Sequence, residues 1–276
     1  MSDALTLAKE IANKYSKSDV ITAVVLAGSQ STNNNDINSD IDLYVYSKEE
    51  ILLDFRKTVA FDGSSKVEIN NTFWEPGDEW IDAKTGIKVD VMFRSLSWIE
   101  EKLHKILIDH EASTGYSTCF WFNVLHSIIL VDKDRWFEQL KNDVDKPYPL
   151  ELKKAIIRKN YPILGKNNSS YINQIELALK RQDAISVQHR VTEFLASYFD
   201  IIFAINELTH PGEKRLLVNV ERTCTKIPSN FFPLTNKLLG SISTFNGQIV
   251  TIAKKLVDSL VDLLQNENLI DAQDYR

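Results

Sequence analysis

An eight-residue apolar run, Val20-Ile21-Thr22-Ala23-Val24-Val25-Leu26-Ala27, is cut off by Gly28-Ser29, and ten residues later Ser39-Asp40-Ile41-Asp42-Leu43-Tyr44-Val45-Tyr46 alternates with period two. The first pattern suits a strand buried on both faces and the second a strand with one apolar and one polar face, so the chain must build a sheet around this pair. Residues 3–17 carry apolar groups at helical spacing behind Ser2 or Asp3 as a cap. Residues 47–58 read as helical or irregular, and strands are predicted at 66–73, 78–83 and 87–93. The last two are joined through Ala83-Lys84-Thr85-Gly86, whose glycine suits a hairpin. Five short strands and a leading amphipathic helix imply a small mixed α/β sheet unit.

Beyond Leu96 the strand signals fade. Ser97-Trp98-Ile99-Glu100-Glu101 opens a helix, Gly115 and Asp132-Lys133-Asp134 mark breaks, and Pro147 and Pro149 are the best boundary, with a new helix starting at Leu150. Residues 169–209 form a long helical region interrupted around Arg181-Gln182-Asp183 and ended by Pro211-Gly212, and a last amphipathic helix runs from Phe245 to Leu264. The expected organisation is an α/β domain over residues 1–145 and an all-α helical bundle over 146–276.

Charge divides along the same line. Residues 1–149 hold 16 Lys/Arg against 25 Asp/Glu, a net −9, while residues 150–276 hold 16 against 13, a net +3. This balance disfavours nucleic acid as a partner, since phosphate neutralisation needs clustered Lys and Arg, and an acidic half suits metal ions or cationic molecules. Only two cysteines, Cys119 and Cys224, are present, far apart and without ligand-like neighbours, which argues against a disulfide framework or a zinc cluster. With no apolar run long enough to span a bilayer and no signal-peptide pattern behind Met1, a soluble chain in the reducing cytoplasm is expected, with no membrane partner.

The chemistry concentrates at Gly28-Ser29 and Asp40-Ile41-Asp42. Side chains two apart on a strand leave the same face, so Asp40 and Asp42 are expected to project together while Ile41 and Leu43 enter the core. Adjacent carboxylates repel unless a cation lies between them, and hard oxygen donors suit Mg²⁺. Asp90, in the alternating Ile87-Lys88-Val89-Asp90-Val91-Met92-Phe93, would complete three convergent carboxylates able to hold two metal ions if its strand neighbours the first. Gly28 lets backbone approach a phosphate, and Ser29 adds hydroxyl and amide donors.

These residues resemble the nucleotidyltransferase superfamily related to DNA polymerase beta, marked by Gly-Ser, about ten residues, Asp-x-Asp and a later third Asp. The match covers roughly the first 95 residues and falls on Gly28, Ser29, Asp40, Asp42 and Asp90. With a helical second domain, the layout looks most like the antibiotic nucleotidyltransferases that modify aminoglycosides and lincosamides. The resemblance implies transfer of a nucleoside monophosphate, AMP from ATP, to a hydroxyl of a small and cationic acceptor, with two Mg²⁺ ions held by Asp40, Asp42 and Asp90. It also implies that Asp90 orients or deprotonates the acceptor, that Gly28 and Ser29 hold the terminal phosphates, and that the helical half covers the nucleotide and binds the acceptor. The alternatives are a protein-adenylylating or antitoxin-type transferase, whose acceptor is a protein, and a non-catalytic nucleotide-binding protein. Residues 181–215 also look like an uncharacterised helical domain often found after this catalytic unit.

One departure stands out. Many members follow Gly-Ser with a small residue, an arginine and a glycine, whereas this chain has Gln30-Ser31-Thr32-Asn33. Lys214 and Arg215 are therefore candidates for the missing phosphate contacts. Trp74, Trp80, Trp98, Trp121 and Trp136 could stack on a base, although packing is the default for such residues. Glu193 and Asp183 are secondary general-base candidates, and His104, His110, His126, His189 and His210 follow no metal-binding pattern.

If Ser29 donates to the triphosphate, Ser29→Ala should cost about 1.5–3 kcal/mol of nucleotide interaction, about ten- to a hundredfold, through one lost charge-assisted hydrogen bond. Steady-state kinetics with a nucleoside triphosphate against binding of the bare nucleoside checks this. Unchanged nucleotide KM and kcat would place the phosphate site elsewhere.

Overall fold

A computed structural model describes residues 3–28, 40–61, 63–73 and 75–271. The order of elements is α1 (Asp3–Tyr15), β1 (Ile21–Leu26), β2 (Ile41–Ser47), α2 (Leu53–Phe61), β3 (Ser64–Asn71), β4 (Gly77–Asp82), β5 (Lys88–Ser95), α3 (Leu96–Leu107), α4 (Cys119–His126), β6 (Ile128–Asp132), α5 (Trp136–Val144), α6 (Leu150–Gly165), α7 (Tyr171–Lys180), α8 (Ala184–Ile205), α9 (Leu216–Thr223), α10 (Phe231–Ile242) and α11 (Gln248–Asn266). The chain divides into two compact units, one of residues Met1–His104 with Phe120–Lys146 and one of residues Lys105–Cys119 with Pro147–Arg276.

The first unit is built on a six-stranded mixed sheet ordered β3-β4-β5-β2-β1-β6. β2 and β5 run parallel, and the other neighbours are antiparallel. Five strands follow the sequence expectation, but β6 was not anticipated. Ile128-Ile129-Leu130-Val131 is a short apolar run without alternation, in a stretch dominated by helical patterns, and it is its pairing with β1 that makes it a strand. β2 begins at Ile41, one residue after Asp40, so Asp40 precedes the strand instead of lying within it.

Every residue of β1 is buried, as its unbroken apolar run requires. One sheet face is closed by Leu7, Ala8, Ile11, Ala12 and Tyr15 of α1 and Val59 and Ala60 of α2, packed on Val24, Leu26, Ile41, Leu43, Val45, Val89 and Val91. Within this core the fully buried Asp78 of β4 receives Nε of Arg56 from α2 at 2.9 Å, while Arg56 Nη2 donates to its other oxygen and Asn70 N donates at 2.8 Å. The Arg56 guanidinium also lies 4.1 Å over the Phe93 ring. The opposite face is only partly covered. Tyr46 packs on Trp136 and Phe137, and Arg94 lies over Tyr44 at 3.7 Å and Trp98 at 4.8 Å. α3 starts where Ser95 Oγ accepts from Trp98 N at 3.2 Å.

The second unit is helical, as anticipated, around a core drawn chiefly from α6, α7, α8, α10 and α11. Its break at residues 181–183 ends in Asp183, which caps α8 by accepting from Ser186 N at 3.0 Å. A buried polar knot ties residues 113–118 to the helices: Ser117 Oγ donates to Asp200 at 2.6 Å, and Asn160 accepts from Gly115 N at 3.0 Å and donates to Ser113 O at 2.9 Å. Burial raises the Asp200 carboxyl to about 7, against the lowering effect of the Ser117 donors. No helix among the described residues is long and apolar enough to cross a membrane.

Removing one partner of a buried ion pair leaves the other charged and uncompensated. Arg56→Met should therefore cost about 3–5 kcal/mol in urea unfolding, and Arg56→Met with Asp78→Leu should recover most of the loss. A single variant as stable as wild type would show that this pair does not anchor β4.

Candidate active site

Alternation places Asp42 on the face of β2 opposite Ile41 and Leu43, which lie in the core. In the parallel β2–β5 register Asp42 faces Asp90 directly. In the antiparallel β4–β5 register Asp90 faces Glu79, and Glu79 in turn faces Glu68 of β3. Four carboxylates on four adjacent strands therefore form a row across the sheet. Sequence alone located Asp42 and Asp90. Glu79 carried no motif, and the available signal was its parity: in Gly77-Asp78-Glu79-Trp80, Asp78 and Trp80 turn into the core and Glu79 away from it.

Asp90 is half-buried, and its carboxyl is pushed up to about 6, first by burial and then by the charges of Glu79 and Asp42, with Lys88 opposing. Lys88 Nζ lies 2.7 Å from Glu79 Oε2, while Glu79 Oε1 accepts from Asn71 Nδ2 at 3.2 Å. Beside Asp90 opens a cleft of about 170 Å³ lined by Asn71, Glu75, Gly77, Glu79, Asp90 and Met92. Its Glu75 grips the buried Arg94 through both carboxylate oxygens, at 2.8 and 2.9 Å.

Gly28 sits at the end of β1 beside Asp42, with Ala27 N donating to Asp42 O at 2.9 Å. Its φ is +63°, and a Cβ on it would fall inside the Asp42 carboxylate. Glycine is thus favoured twice, by conformation and by the close approach of the Asp42 carboxylate. Ser29 lies outside the described residues, as do Gln30-Ser31-Thr32-Asn33 and Trp74. Asp40 is exposed just before β2. Lys214 is exposed in the second unit ahead of α9, and its carbonyl accepts from Asn219 Nδ2 at 3.2 Å. Trp80 and Trp121 are core residues, Trp98 packs against Phe120, and Trp136 packs against Tyr46, so these four tryptophans serve packing. Asp183 is occupied as a helix cap.

Among the described residues no three acidic, histidine or cysteine side chains stand close enough to enclose a metal ion by themselves. The donor chemistry nevertheless fits Mg²⁺. The row offers hard carboxylate oxygens, and that ion takes one or two carboxylates and completes its shell with water and substrate phosphates. The protein also places a cation of its own, the Lys88 ammonium, against the same acids.

Residues 6–113 match the family model of the nucleotidyltransferase domain. This stretch of the chain therefore carries a nucleotidyltransferase domain. Similar solved structures include a nucleotidyltransferase-like protein from Exiguobacterium sibiricum, 12% identical, with a TM-score of 0.45 over 95% of this chain and 74% of that one. A CCA-adding enzyme from Thermotoga maritima in complex with tRNA is 12% identical, with a TM-score of 0.35 over 98% and 83% of the two chains. A STING-associated c-di-GMP synthase from Capnocytophaga granulosa is also 12% identical, with a TM-score of 0.30 over 96% and 80%. No curated protein matches the chain.

Gly28→Ala should lower stability by about 1–2 kcal/mol through its left-handed backbone. By displacing Asp42 it should reduce turnover further than that loss explains. Urea unfolding set beside pyrophosphate release measures both, and wild-type turnover would show that the Asp42 carboxylate tolerates a side chain there.

Proposed function

We propose that this enzyme transfers a nucleoside monophosphate, AMP from ATP, to a hydroxyl of a small cationic acceptor seated in the cleft beside Asp90. The observation that carries the reading is the order of groups across the sheet: Gly28 at the end of β1, then Asp42, then Asp90, then the cleft. A backbone suited to phosphate, two acids and an open cleft thus follow one another across the sheet.

Gly28 with Ser29 hold the terminal phosphates. Asp40, Asp42 and Asp90 would hold Mg²⁺, which when bound neutralises the triphosphate and the departing pyrophosphate. Asp90 also receives the proton of the acceptor hydroxyl. The acceptor oxygen bonds to the α-phosphorus while the bond from that phosphorus to the pyrophosphate oxygen breaks. The −9 balance of residues 1–149 favours an acceptor carrying positive charge. Aminoglycosides and lincosamides are the acceptor classes that the sequence resemblance implies.

Pyrophosphate release from each of four nucleoside triphosphates, with Mg²⁺ and with cationic or neutral hydroxylated acceptors across a salt series, tests the proposal. Cationic acceptors should be used more efficiently at low salt, and Asp42→Asn should abolish transfer while melting like wild type. Near-normal turnover of Asp42→Asn overturns the site assignment. Transfer confined to a protein or an RNA overturns the acceptor class.

A further inference from the structure

Lys88 stands on β5 two residues before Asp90, so both side chains leave the same face of the sheet. Its ammonium reaches across the β4–β5 pair to Glu79 Oε2, 2.7 Å away, and the charges of Asp90 and Asp40 also act on it. Glu79 is held from the other side by Asn71. Glu79 thus holds the ammonium directly, and its charge is felt by Asp90 and Asp40. Because Glu79 faces Asp90 and Asp90 faces Asp42, that ammonium belongs to the same row of acids.

We propose that Lys88 is the resident counter-cation of this carboxylate row and a positioning residue for the metal, offsetting the repulsion among the acids and holding down their affinity for a free divalent ion. The inference rests on reading Asp42 and Asp90 as metal ligands. A monovalent and a divalent cation a few ångströms apart repel, and in a largely solvated site that repulsion weakens metal binding by about tenfold. A nucleoside triphosphate brings negative charge with its metal and offsets the penalty, so the row accepts an ion together with its nucleotide in preference to the ion alone. A plain cross-strand ion pair has no such effect. Lys88 and Glu79 are 43% and 26% exposed in their side chains, and a pair at that depth stabilises the sheet little.

The test uses the full chain and Mn²⁺ alone, with binding read by titration calorimetry and by the electron-spin resonance signal of free Mn²⁺. Lys88→Met should bind Mn²⁺ about tenfold more tightly than wild type, and Lys88→Arg, which keeps the charge, should match wild type. Lys88→Gln serves in place of Lys88→Met if circular dichroism shows the latter to be unfolded. Equal Mn²⁺ affinity in wild type and the charge-removed variant overturns the role of Lys88 while leaving the metal assignment standing. Mn²⁺ binding that survives Asp42→Asn, or that is absent from wild type and charge-removed variant alike, overturns both together.

Discussion

Like charges set on neighbouring strands repel, and in this protein Asp42, Asp90, Glu79 and Glu68 are brought side by side by backbone hydrogen bonding that pays no regard to their charge. The sheet tolerates this because its opposite face is closed by the aliphatic core beneath α1 and α2. Burial of that apolar surface fixes the strand register, and with period two the register fixes which residues must turn outward. Local relief comes from Lys88 and Asn71 around Glu79 and from the rise in the proton affinity of Asp90.

Two arginines hold the sheet from its two sides. Arg56 rises from α2 into the core to meet Asp78, and Arg94 on the other face lies between Tyr44 and Trp98 while gripping Glu75. Asp78 and Glu79 are adjacent in sequence yet have opposite tasks, one neutralised inside and one exposed to the cleft. Arg94 likewise holds in place one wall of that cleft.

Period-two alternation made the outward parity of Asp42 and Asp90 legible without any structure, and the apolar run before Gly28 marked β1. What could not be read was cross-strand register. Glu79 opposes Asp90 only because of how the β4–β5 hairpin is set, and the β3–β4 pair contains register shifts that no local pattern announces. The period-two pattern extends two residues before the start of β2, so it takes in Asp40, which only precedes the strand. β6 was missed because its identity comes from the edge of β1 that it covers. Residues 105–119 group with the helices through Ser117, Gly115, Asn160 and Asp200, contacts between residues 40 or more positions apart that leave no trace in local composition.

The single parallel pairing in the sheet, β2 with β5, has a consequence for how the protein comes into being. Parallel neighbours cannot be joined by a tight turn, and here the connection includes all of α2, β3 and β4. Closing so long a loop costs chain entropy before the contact returns any stabilisation, which makes such pairings late events in folding. Asp42 and Asp90 meet only at that step. A nascent or partly folded chain therefore has Asp42 apart from Asp90, and the acidic row is completed only together with the sheet.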